Sequence, residues 1–297
     1  MFAPKLKPGD TIGLASPSHI ADREGYGHVI RVLEARGFAV KTGANIYKDT
    51  YGYSATPQER ADDINALFAD DEVKMVLFGG GDGGNELLPY LDFDIIRTHP
   101  KLTCSYSDGT TLLNVIYTQT GLVTYYGQTP GIFDDLRYYD YMQFSQHFLQ
   151  DGKQDNMFVP NSQWHTLHGG ACDGLLIGGY TVMFALLLGN RYFPYDDTKQ
   201  YILFLEDHEQ FNGLAAVSSL VSHIEQSAFM GRVTGLLFGH YNTTHPPELF
   251  DRLARLGAAH NIPVIYCDDF GHGVNHAILP IGQQARLDAD AQTLVFI

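Results

Sequence analysis

The chain of 297 residues is poor in cysteine, in positive charge and in span-length apolar runs. Its three cysteines, Cys104, Cys172 and Cys267, are widely spaced and form no CxxC pair, which excludes a disulfide framework or a thiolate zinc site and fits a reducing compartment. With 19 Lys and Arg against 34 Asp and Glu, the formal charge is −15 and no basic block interrupts it. Phosphate backbones and anionic lipid would repel such a surface, so neither nucleic acid nor a membrane is expected as partner, and a small molecule is. The stretch that best imitates a membrane span, 174–189 (GLLIGGYTVMFALLLG), is shorter than the roughly 18 to 20 residues needed and is broken by Gly178 and Gly179. It reads as a buried strand, turn and helix. The opening MFAPKLKPGD puts Pro and Lys where an export signal needs an apolar core, which points to a cytoplasmic protein.

At 44% hydrophobic residues there is ample material for real cores, and the length suggests about two domains of roughly 150 residues each. In the first half, short apolar runs alternate with amphipathic stretches. Residues 11–15, 38–42, 73–78, 102–104 and 122–125 read as strands, and 23–36, 57–69 and 110–117 as helices, the pattern of a helix-covered parallel sheet. From 131 to 168 the pattern dissolves into polar, aromatic-rich sequence, which predicts an interdomain segment able to cover a substrate. The expected organisation is an N-terminal Rossmann-like domain over 1–130, this segment over 131–168, and a second domain over 169–297. In the last, 175–177, 201–206, 233–238, 264–267 and 293–297 read as strands and 215–226 and 247–256 as helices.

Two stretches invite chemistry. Directly after the strand at 73–78, Gly79-Gly80-Gly81-Asp82-Gly83-Gly84-Asn85-Glu86 places five glycines in six positions, exposing backbone N–H groups as an oxyanion cradle requires. It formally satisfies GxGxxG, but the acidic ribose ligand expected about 20 residues on would fall near Cys104 and Ser105, and Pro89 interrupts the following helix. The second stretch, Tyr106-Ser107-Asp108, links a strand to a helix like a nucleophile elbow, although it is not GxSxG. Ser, Asp and Thr are also ordinary helix caps, so this fragment alone leaves capping open. A serine nucleophile needs a base and a group to orient it. Among 13 histidines, His272 follows the strand at 264–267 and Glu206 ends the strand at 201–206, both at strand ends where α/β sites form. His165, His168, His208 and His223 read equally well as packing or surface residues. No ligand spacing supports a metal at His208 with Glu206, Asp207 and Glu209.

Taken together, these stretches resemble the LD-carboxypeptidase family of serine peptidases, which includes the microcin C immunity peptidases. The likeness runs from Lys7-Pro8-Gly9-Asp10 and Ala15-Ser16-Pro17-Ser18 through Glu59 to Asp63, Gly80-Gly81-Asp82, Asn85 to Asp92 and Tyr106-Ser107-Asp108. It continues through Gly178-Gly179 and Phe204-Leu205-Glu206-Asp207 to Gly271-His272-Gly273 and Leu279-Pro280-Ile281-Gly282. The resemblance implies an α/β fold with a Rossmann-like N-terminal domain and a β-rich α/β C-terminal domain. It implies a Ser-Glu-His triad on Ser107, Glu206 and His272 at the domain interface, an oxyanion hole from the N–H groups of Asp108 and of the Gly80-Gly81 turn, no metal or organic cofactor, and a homodimer.

The chain departs from the family where Gly-Gly-Asn becomes Gly178-Gly179-Tyr180 and Gly-Thr becomes Gly189-Asn190. Its loop carries Asp82 and Glu86 where the cell-wall carboxypeptidases have Tyr and Arg, so a substrate carboxylate is expected to meet repulsion there. Asp82, Asn85 and Glu86 are closer to the microcin-immunity branch and are expected to contact substrate. That likeness implies cleavage of a peptidyl or aminoacyl nucleotide at the amide next to an L-configured acyl centre, a detoxification. The alternatives are an LD-carboxypeptidase removing D-alanine from muropeptide tetrapeptides, and an inactive nucleotide- or peptide-binding module. Trp164 can be read as stacking on the base or as packing.

Overall fold

The alternation in the first half becomes a parallel sheet. A computed structural model describes residues 1–150, 152 and 156–297 and divides into two units, Met1–Lys153 and Gln154–Ile297. The first runs β1 (Thr11–Ala15), α1 (Arg23–Ala35), β2 (Ala39–Thr42), α2 (Pro57–Ala69), β3 (Val73–Phe78), α3 (Phe93–Thr98), β4 (Leu102–Ser105), α4 (Gly109–Thr120), β5 (Thr124–Tyr126) and α5 (Tyr138–Phe148). The strands lie in the order β2-β1-β3-β4-β5 with every neighbouring pair parallel. Being buried at every position but Lys74, β3 has helices on both faces, which is why it reads as a continuous apolar run. A capping box between Thr56 and Glu59 with Pro57 in the first turn sets the start of α2, and Gly121, at φ 74°, ends α4. Because β3 and β4 are parallel neighbours, the glycine loop after Phe78 and the Tyr106-Ser107-Asp108 turn leave the same edge of the sheet.

The second unit contains β6 (His165–His168), β7 (Ala171–Tyr180), α6 (Thr181–Leu187), β8 (Tyr201–Glu206), α7 (Leu214–Gln226), β9 (Val233–Phe238), α8 (Pro247–His260), β10 (Val264–Tyr266), β11 (Leu279–Ile281), β12 (Gln284–Asp288) and β13 (Thr293–Phe296). Strands β7 to β10 are parallel. They are flanked by antiparallel β6 on one side and by β12 and β13 on the other. Just past β11, the Gly282 N–H donates to the Leu176 carbonyl at 2.8 Å. This is the α/β architecture with a β-rich second half that the sequence implies.

Two expectations need revision. The uncharged stretch is strand followed by helix, as expected, but without the turn: Gly178 and Gly179 lie within β7 at φ 140° and 136°, and a Cβ on Gly178 would meet the Phe204 carbonyl oxygen of β8 at 1.8 Å. Residues 151 and 153–155 of the 131–168 stretch lie outside the described residues, and the rest is largely built into the two units. In the first, α5 buries Phe144 and Phe148, whose rings meet edge to face at 5.3 Å, and Phe148 also meets Tyr125 at 4.9 Å. In the second, β6 pairs with β10. Aromatic packing here overrides weak helix propensity. Among the described residues no helix is long and apolar enough to cross a membrane.

Candidate active site

Ser107 is one of the few non-glycine residues with a left-handed backbone, at φ 57°, on the turn from β4 into α4. That strained position on a strand-to-helix turn is what lifts a serine hydroxyl off a sheet edge. Gly109 permits the turn, since a Cβ there would lie 2.1 Å from Ser105 Oγ. The Ser107 N–H donates to the Tyr126 hydroxyl at 3.2 Å, while the Ser107 carbonyl accepts from Thr110 at 2.9 Å to start the helix. The capping alternative fails for Asp108, whose side chain makes no cap bond to α4. It accepts instead from the Ser18 hydroxyl and, at 2.7 Å, from the Gly84 N–H, tying elbow to glycine loop. Burial pushes this carboxyl up to about 6, against the lowering effect of both hydrogen bonds.

The glycine loop passes directly over the elbow. A Cβ on Gly80 would sit 3.1 Å from Ser107 Cβ and 3.6 Å from its Oγ, so glycine is what allows this backbone to approach the serine. His19 Nδ1 donates to the Gly80 carbonyl at 2.8 Å, and Ser18 O accepts from the Asp82 N–H at 3.0 Å. Gly81, at φ 134°, has no room for a side chain beside the Ser18 carbonyl. Asp82, Asn85 and Glu86 are exposed.

Glu86 is ion-paired. The Arg60 guanidinium, buried on α2, pairs with the Glu86 carboxylate, and the Tyr53 hydroxyl donates to it at 3.1 Å. The cation that offsets the Glu86 charge is thus supplied from a different element, and Asp82 has no ion pair among the described residues. Arg60 was invisible as a loop residue because nothing in its helical spacing separates it from a surface position.

In the second unit Glu206 closes β8, completely buried. One of its oxygens, Oε2, accepts from His272 Nδ1 at 2.9 Å and from the His272 backbone N–H at 3.2 Å. With Nδ1–H committed to Glu206, the basic nitrogen of the neutral ring is Nε2. Gly271, at φ 102°, makes the approach possible, since a Cβ there would lie 2.6 Å from Oε2. Tyr180 and Phe211 pack edge to face on the imidazole at 5.0 and 5.1 Å between ring centres, which gives the Tyr180 departure a physical role. Burial alone would lower the His272 pKa, but the charge and hydrogen bond of Glu206, helped by Asp207, outweigh it and raise it above the ordinary imidazole value. The stability that this pair contributes is therefore present below that ordinary value and lost as pH rises through the raised one. Asp207, also fully buried, is pushed up to about 7, chiefly by burial, and its Oδ2 has no hydrogen-bond partner among the described residues.

Trp164 is packed within the second unit. It is buried, its indole N–H donates to Asp269 Oδ2 at 2.6 Å, and its ring lies 5.4 Å from that of Phe158. Trp164→Phe keeps an aromatic ring at this position and removes the indole N–H donor. Loss of the Asp269 bond should lower stability by roughly 1–3 kcal/mol, read by denaturant unfolding. Among the described residues, no group of three or more His, Cys, Asp and Glu side chains is arranged to hold a metal ion.

Residues 12–127 match the LD-carboxypeptidase N-terminal domain, and residues 173–287 the LD-carboxypeptidase C-terminal domain. YocD of Bacillus subtilis, named as a carboxypeptidase, is 31% identical over 99% of this chain and 98% of its own. The chain belongs to the LD-carboxypeptidase family. It is a serine carboxypeptidase-like hydrolase. A second Bacillus subtilis protein, named as a murein peptide carboxypeptidase, is 28% identical over 99% of this chain and 94% of its own. The crystal structure of an MccF-like protein from Bacillus anthracis superposes with a TM-score of 0.89 at 29% identity, covering 100% of this chain and 99% of that one. The microcin C7 self-immunity protein MccF, solved in complex with glutamyl sulfamoyl guanosine, gives a TM-score of 0.87 at 25% identity over 99% and 97% of the two chains.

Proposed function

We propose that the enzyme cleaves an amide by an acyl-enzyme route, with Ser107 as nucleophile, His272 as general base and acid, and Glu206 orienting the imidazole. The observation that carries this reading is the left-handed Ser107 on its strand-to-helix turn with Gly80 against its side chain. The His272–Glu206 hydrogen bond supports it with a base already fixed in the required tautomer. His272 Nε2 takes the Ser107 hydroxyl proton as Oγ attacks the carbonyl, then returns it to the leaving amine; water, activated by the same nitrogen, releases the acyl group. The oxyanion is held by the Asp108 N–H and an N–H of the Gly80-Gly81 turn, each donor worth about 3 to 4 kcal/mol in the transition state.

For substrate we favour an aminoacyl or peptidyl nucleotide cut at the amide next to its L-configured acyl centre, with Asp82 and Asn85 as contacts on the exposed loop. The complex of MccF with glutamyl sulfamoyl guanosine supports this reading. Release of D-alanine from a muropeptide is a second reading, supported by the murein peptide carboxypeptidase relative and by Arg60, whose charge beside Glu86 relieves the expected repulsion of a substrate carboxylate. A competition resolved by mass spectrometry, with an aminoacyl sulfamoyl-adenylate and a muropeptide tetrapeptide in one tube, separates them. Selective loss of the adenylate is expected; selective release of D-alanine would assign wall recycling instead.

A further inference from the structure

The first unit carries a polar recess at the edge of its sheet away from Ser107. Parallel strands begin at one edge and end at the other, and Ser107 follows the end of β4. At the opposite edge, where β1, β3 and β4 begin, an open cleft of about 360 Å³ is lined by Lys5, Lys7, Lys74 and Lys101, with Asp10 and Asp71 as its acids. The chain has eight lysines and a formal charge of −15, so gathering four of them in one recess opposes the character of the rest of the surface. Lys101 is the telling member. It is only 5% exposed, and its ammonium donates to the carbonyls of Asp70 and Val73 at 2.7 and 2.6 Å. Two carbonyls satisfy two of its three N–H donors and none of its charge. Lys5 is held in the same manner by the Gln146 carbonyl at 2.8 Å, and Lys74 by that of Asp71 at 2.6 Å. Asp10 is itself engaged by the Lys7 backbone N–H at 2.9 Å.

Backbone carbonyls thus fix several ammonium groups around one opening while leaving donors and a net positive charge to spare. We propose that this cleft binds the dianionic phosphate group of a small solute, at a site separate from the Ser107 edge. Burial lowers the pKa of both Lys5 and Lys101, and a phosphate in the cleft would relieve that by favouring the charged amines. Lysines bind phosphate as point charges, which suits a recess without a bidentate arginine.

Isothermal titration of the full chain with inorganic phosphate and with ribose 5-phosphate, at constant ionic strength set by chloride, tests the proposal. Saturable binding of at least one probe is expected, weakened at least tenfold in Lys5→Gln/Lys74→Gln. Should that variant unfold, Lys7→Gln/Lys74→Gln, altered at two exposed positions, takes its place. Tighter binding of ribose 5-phosphate would identify a phosphorylated metabolite as the source, and equal or tighter binding of phosphate the free ion; either supports the site. No saturable binding of either probe, or unchanged affinity in the variant, would overturn it.

Discussion

Replacing Ser107 by alanine is expected to lower kcat by at least about 10,000-fold while leaving the fold and melting temperature in place. The methyl group keeps the Cβ that packs against Gly80, and the bond to the Tyr126 hydroxyl comes from the residue 107 backbone N–H, so both survive the loss of the hydroxyl. Glycine at the same position separates mechanism from strain. A left-handed backbone costs an L-residue about 1–2 kcal/mol, and glycine escapes that cost at an expense of roughly 0.4–1 kcal/mol in unfolded-state entropy. Ser107→Gly should therefore be as inactive as Ser107→Ala and at least as stable in denaturant unfolding. An active alanine variant would remove Ser107 from the chemistry. A glycine variant less stable than the alanine one by more than about 1 kcal/mol would show that the turn at φ 57° is not strained.

The second large effect belongs to Glu206→Gln. The amide is nearly the same size but no longer a charge-bearing acceptor for the Nδ1–H of His272, so the tautomer with basic Nε2 loses its anchor. A fall in kcat of at least about 100-fold is expected. The pH profile carries the distinguishing signature. His272 must be neutral to act as base, so kcat/KM falls on the acid side as the imidazole protonates. Glu206 raises the imidazole pKa through its charge and hydrogen bond, so its loss should move the acid limb of the surviving activity to lower pH. Asp207, fully buried beside the pair and held near 7, should stay more readily ionised once its charged neighbour is gone, which tempers the shift without reversing it. A near-normal rate, or an acid limb displaced upward, would mean that a different carboxylate orients the base.

Some elements of the fold are legible in the sequence and others are not. The strands Val73–Phe78, Tyr201–Glu206 and Val233–Phe238 and the helix Pro57–Ala69 have the bounds their apolar periodicity predicts. The helix Tyr138–Phe148 does not, because its buried face is aromatic and its propensity weak, so only packing against Tyr125 and Phe133 reveals it. Glu206 was legible as the end of an apolar strand. Ser107 was not separable from a helix cap without the family likeness, since the positive φ that distinguishes the two is a backbone property with no signature in a serine. Tyr126, Phe211 and Arg60, which hold Ser107, His272 and Glu86 in place, are distant in sequence from what they touch. Only the topology brings them there.

The nucleophile itself can be trapped. Treating the purified enzyme with a fluorophosphonate and mapping the adduct by peptide mass spectrometry reports which hydroxyl the base activates. A single adduct on Ser107, absent in Ser107→Ala and strongly slowed in His272→Ala, is the expected result. An adduct elsewhere in an enzyme that still turns over, or labelling of Ser107 at an undiminished rate without His272, would contradict the assignment.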